Sequence, residues 1–156
     1  MIYPYLSYGI LLWGSTYKRH LNTVAIQQKK AIRSINRVQY NEHTMPLFAN
    51  CRILKLCEVY ELQLNIFMYS HQKGLLPAPL KPIFTMNNVI HNHQTRKYRD
   101  PNIIRRKTQI MAKSFICRGP EIWGSLPKII KESKTLKFFK DKLKNKYIQD
   151  YLDISK

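Results

Sequence analysis

Residues 21–38 read LNTVAIQQKKAIRSINRV. Leu21, Val24, Gln28, Ala31, Ile32, Ile35 and Val38 recur at three- and four-residue steps, so they share one face of an α-helix. Lys29, Arg33 and Arg37 step by four on another face, with Lys30 beside them. The spacing predicts one amphipathic helix over 21–38. No acidic residue lies within the stretch, so the bases lack the partner four positions away that usually supports such a row. A helix of this kind offers its cations to an external polyanion. The row would span on the order of 12 Å, enough to bridge several phosphates.

The rest of the chain has the same bias. Its 156 residues suffice for one domain with a core, and a hydrophobic share of 44% excludes a disordered tail. Lys and Arg number 27 against 9 acids, a formal charge of +18, which opposes compaction unless a polyanion or counter-ions screen it. Nucleic acid is the first partner such a charge suggests, and an anionic membrane surface is the second. Residues 1–40 hold six bases and no acid; residues 65–119 hold ten bases and one acid, Asp100. Two acid-poor zones suit a groove with two basic walls, or two solvated surfaces facing different ways.

Within the second zone, Arg96, Lys97, Arg99, Arg105, Arg106 and Lys107 form a cluster around Tyr98. An aromatic ring among bases can stack on an unpaired base. The lysines near the C-terminus weigh less, because exposed lysines are common on helices.

Other chemistry finds little support. His91, His93 and Cys117 could supply three metal ligands, but no paired short spacing is present and Cys51-x5-Cys57 does not supply one. No metal or other cofactor is expected. No nucleophile elbow, no phosphate-binding glycine loop and no cluster of carboxylates for a two-metal site occurs, so no catalytic residue is assigned. Three cysteines and no secretory leader favour free thiols in the nucleus or cytoplasm. The apolar start, MIYPYLSYGILLWG, is too short for a membrane span.

Taken in order, residues 2–13 read as a short buried helix that expects a neighbour. Thr44 reads as the N-cap of a short helix over 46–51, with Pro46 in its first turn. Residues 54–70, apolar on most sides, read as the core helix packed on the central helix and the N-terminal segment. Gly74 to Pro82 stops it, and 83–101 reads as a long irregular loop. Alternation over 103–117 allows a strand, so a hairpin or extended segment docked on helices is expected. Gly119-Pro120 reads as a breaker before a short helix over 121–125. Ser133 reads as the cap of a last helix to about Leu152, with Leu136, Phe139, Leu143, Tyr147 and Tyr151 as its apolar stripe. The fold class expected is mainly α: an irregular multi-helix module with a long central loop.

Several short motifs add a resemblance. They are Tyr3-Pro4-Tyr5-Leu6-Ser7-Tyr8-Gly9, Trp13-Gly14, Ile26-Gln27-Gln28-Lys29-Lys30-Ala31-Ile32-Arg33, His43-Thr44-Met45-Pro46-Leu47-Phe48 and Ile53-Leu54-Lys55-Leu56. Later come His93-Gln94-Thr95-Arg96, Arg118-Gly119-Pro120-Glu121-Ile122-Trp123, Ser125-Leu126-Pro127 and Phe139-Lys140. In this order they resemble the region downstream of the polymerase palm in non-LTR retrotransposon reverse transcriptases of the jockey-like and related LINE groups, over nearly the whole chain. Trp123-Gly124 departs from the family's usual Trp-Asn. The resemblance implies that 1–38 is a thumb-like segment whose helix tracks the template–primer duplex, and that 39–156 is the post-thumb region, the two forming one compact unit. It implies RNA or an RNA–DNA duplex as ligand and the palm and fingers of a parent polymerase as partner. The Tyr/Phe-x-Asp-Asp motif of the catalytic part is absent. A protein-interaction module docking through residues 2–13, a functionless relic and a membrane-surface binder are the alternatives.

Overall fold

The computed structural model describes residues 3–90, 93–95, 98 and 100–154. Among them the chain is mainly α-helical. The helices are α1 (Tyr3–Ser7), α2 (Ile10–Trp13), α3 (Lys18–Asn36), α4 (Thr44–Asn50), α5 (Leu56–Gln72), α6 (Asn87–Ile90), α7 (Gln109–Lys113), α8 (Phe115–Ser125), α9 (Lys128–Lys131) and α10 (Leu136–Ile154). A 3-10 helix, Ala78–Ile83, follows α5.

The centre of the core is α5, with α1, α2, α3, α8 and α10 packed around it. Its all-round apolar pattern explains this: Val59 and Leu64 are fully buried and Met68 nearly so. Burial of each such side chain contributes about 1.5–3 kcal/mol. From α10, Phe139 stacks on Tyr69 at 4.6 Å between ring centroids, and the Tyr69 hydroxyl donates to the Ser133 carbonyl at 2.7 Å. The stripe expected on the last helix faces inward as read, with Phe139, Leu143 and Tyr151 buried. A smaller cluster of Ile32, Phe48, Ala49 and Tyr151 joins α3 to α4 and α10.

The central amphipathic helix forms, with different limits. It begins at Lys18, after an extended Tyr17, and ends at Asn36. Arg37 takes a left-handed conformation, φ 53°, so it leaves the helical row of bases. The Val38 amide donates to the Arg33 carbonyl and the Arg37 amide to the Ser34 carbonyl, each at 3.2 Å. This is a Schellman cap with arginine where glycine is usual.

Other expectations need correction. The N-terminal segment is two short helices broken at Gly9, φ +58°, and within it Ile10 is buried while Tyr5, Tyr8 and Leu12 are largely exposed. His43, not Thr44, is the N-cap of α4, and Thr44 is buried inside the first turn. Residues 103–117 form no strand. The Thr108 side chain accepts from the Met111 amide at 3.2 Å and starts α7, and Ile110 on the supposed sheet face points to solvent. Gly119-Pro120 lies inside α8 rather than before it. A Cβ on Gly119 would come within 2.8 Å of the Met68 sulfur, so the glycine serves the close approach of α8 to α5. The Ser133 hydroxyl donates backwards to the Ile130 carbonyl, closing α9, and Thr135 caps α10 by accepting from the Phe138 amide. The long loop is partly ordered: α6 lies within it, and Met86 and Pro101 form an isolated antiparallel bridge.

Candidate nucleic-acid interface

The position of α3 depends on Gln28. The sequence places this amide on the apolar face, and it is buried there at 7% exposure. Its Nε2 donates to the Leu54 carbonyl at 2.8 Å, and its Oε1 accepts from the Leu56 amide at 3.0 Å. Gln28 thus fastens the middle of α3 to the start of α5, where a first-turn amide would otherwise lack a partner.

Beside this attachment lies a cleft of about 590 Å³. Lys18 and Lys29 line it from α3, eleven residues apart on nearly the same helical face and about 16 Å apart along the axis. Lys113 of α7, Arg118 of α8 and Arg106 line it from the opposite part of the sequence. Two acid-poor zones of the chain therefore meet around one space. Lys18, Lys29 and Arg118 make no ion pair among the described residues. Lys113 places its Nζ 3.1 Å from the ring centroid of Tyr17. Two other lining bases are partly neutralised: Arg106 pairs with Glu121, and Lys55 lies 4.0 Å from Glu58. Glu61 also lines the cleft and accepts from the Tyr147 hydroxyl at 3.1 Å.

Below the cations sits Tyr60, 5% exposed, with its hydroxyl turned toward Ser15 and Arg118. Burial pushes its phenol up, against the opposing influence of Ser15 and Arg118, so it stays protonated. Gly14 makes room for this ring: a Cβ there would lie 2.6 Å from Tyr60 Cδ2 and 2.5 Å from the Ile10 carbonyl oxygen. Cys57 lines the cleft as well, its thiol pushed up first by burial and then by Glu58.

The residues singled out from the sequence are only partly gathered here. Lys29 and Arg106 line the cleft, whereas Lys30 and Arg105 are exposed away from its lining. Arg33 is half-buried and its Nε donates to the Glu42 carbonyl at 2.9 Å. Arg37 is exposed beyond the helix end. Tyr98 is half-buried in a turn, its amide bonded to the Thr95 carbonyl at 3.0 Å. Arg96, Lys97 and Arg99 lie outside the described residues. Lys18, Lys113 and Arg118 were legible as bases, but nothing in their spacing marks them as neighbours of Lys29.

Unpaired cations around a partly apolar cleft can hold phosphate oxygens and exclude some of the competing water. Among the described residues no group of three or more His, Cys, Asp or Glu side chains could hold a metal ion, and no helix is long and apolar enough to cross a membrane. No family model, curated protein or solved structure matches the chain.

Proposed function

We propose that this chain is a non-catalytic nucleic-acid-binding module, of the kind that forms the thumb and post-thumb part of a non-LTR retrotransposon reverse transcriptase. It holds RNA or an RNA–DNA template–primer by phosphate contacts, and the polymerase carboxylates belong to a separate palm. The observation that carries the reading is the set Lys18, Lys29 and Arg118: three cations without acidic partners around one cleft, in a chain of charge +18. The family resemblance of the ordered motifs supplies the polymerase context.

The test is a salt titration of binding to a short labelled RNA–DNA duplex. Replacing Lys18, Lys29 and Arg118 together by alanine is expected to lower the affinity and to reduce the slope of log K against log salt by up to about 2.7. A control triple on exposed lysines, Lys134, Lys137 and Lys140, removes equal charge from another surface. Equal loss of slope in the two triples would refute the cleft as the site. Absence of salt-dependent binding by the unaltered chain would refute the function.

One further feature favours a second contact. Tyr5 of α1, Tyr8 in the turn after it and Leu12 of α2 are 82%, 85% and 78% exposed, an apolar surface suited to packing against a neighbouring protein such as a palm. Association with such a partner that persists in high salt, and is lost on replacing all three by serine, would establish it.

A further inference from the structure

Beside the cleft, outside its lining, stands an aromatic ring. Tyr17 is the residue before α3, between Thr16 and Lys18, both of which line the cleft. Tyr17 as a whole is 55% exposed although Lys113 covers one face of its ring. The opposite face is therefore the accessible one, and the ammonium on the covered face fixes the ring's orientation. An exposed tyrosine held flat by a cation is a platform for a planar group.

The size of the space limits what can lie there. A volume of about 590 Å³ is that of a site for one small molecule. It admits an unpaired nucleotide or two. A duplex, with two paired strands side by side, could only rest across the mouth. We propose that the cleft takes an unpaired strand, with a base stacked on Tyr17 beside it and the adjoining phosphates on Lys18, Lys29 and Arg118 within it. This rests on the nucleic-acid reading above and names the form of the ligand. Stacking on an aromatic ring tolerates any base, so the site is selective for single strands rather than for sequence.

The experiment compares a labelled ten-nucleotide single-stranded RNA, the same RNA with abasic positions, and a blunt RNA–DNA duplex of equal length, binding to the full chain. The single strand is expected to bind more tightly than the duplex. Tyr17→Ala is expected to weaken binding of the intact single strand on the order of tenfold, and to leave the abasic strand and the duplex unchanged. Tyr17→Phe, which keeps the ring and its contact with Lys113, is expected to restore the intact-strand affinity. Equal losses on all three probes, no loss on any, or failure of Tyr17→Phe to rescue would overturn the proposal. Salt-dependent duplex binding that is untouched by Tyr17→Ala, with no preference for the single strand, would sink this inference and leave the broader function standing. If none of the probes binds, both fall.

Discussion

Replacing Gln28 by leucine would test whether one buried amide positions the basic face of α3. The side chain is of similar size, so little packing is lost. What disappears is the bridge: the Leu54 carbonyl and Leu56 amide, in residues only 2% and 5% exposed, each lose their Gln28 partner. An unsatisfied buried backbone group costs about 1–3 kcal/mol. Two of them, offset by the added apolar burial, give an expected loss of roughly 2–4 kcal/mol. Total stability for a domain is on the order of 5–15 kcal/mol, so the fold should survive. Urea unfolding followed by far-UV circular dichroism should show the midpoint falling by roughly 1–2 M with the slope unchanged. Nucleic-acid affinity should also fall, although no cation has been removed, because α3 loses its fastening to the start of α5. Gln28→Glu should be at least as damaging at neutral pH, since a carboxylate would then meet the Leu54 carbonyl. A Gln28→Leu chain whose stability lies within about 0.5 kcal/mol of the unaltered chain would refute the reasoning.

Gly14→Ala should destabilise by about 1–3 kcal/mol, because the new methyl meets the Ile10 backbone and the Tyr60 ring below 3 Å; a thermal melt within error of the unaltered chain would show that the floor of the cleft can yield. Glu58 has its carboxyl pKa raised from 4.5 to about 7, mainly by burial, against the Lys55 amide that donates to it at 3.1 Å and the Lys55 charge. The carboxyl is neutral in both states below 4.5, and the folded chain holds a poorly solvated carboxylate above about 7, so its contribution to stability is lost as pH rises through that window. Glu58→Gln keeps the cap without the charge and should be more stable by about 1 kcal/mol near pH 8, after allowance for solvent contact, with a flatter stability profile from pH 4.5 to 7. Urea midpoints across that range would check it, and a variant less stable than the parent at the alkaline end would contradict it.

The long periodic helices were legible because a wide apolar stripe has one reading. That holds for the centre of α3, for α5 and for the inward face of α10. Local signals misled where tertiary packing reused them. Gly119 is small to let α5 approach, not to end a helix, and Pro120 follows it inside α8. Ser133 looks like a cap for the next helix, yet its hydroxyl bonds back to the one before. The alternation over 103–117 matches a strand as well as it matches two short helices joined at Ser114. The cleft was legible only as two acid-poor zones. Spacing places Lys29 and Arg33 on one helix, but no local rule brings Arg118 beside Lys18, or Glu121 onto Arg106. Those neighbours are set by how α8 lies on α5. Arg37 left the row for a local reason, the left-handed cap, which the absence of a glycine there concealed.

Cys57 gives the cleft an attachment point of its own. Cys117 is buried, and the Cys51 sulfur lies within 3.3 Å of the Asn36 side-chain nitrogen, so an alkylating dye should favour the exposed Cys57. Its raised pKa keeps the sulfur mostly protonated near neutrality, so labelling should be slow there and quicken under alkaline conditions. A fluorophore installed this way would sit on the lining itself. Occupancy of the space could then be watched directly, by a change in colour or quenching, without introducing any new residue.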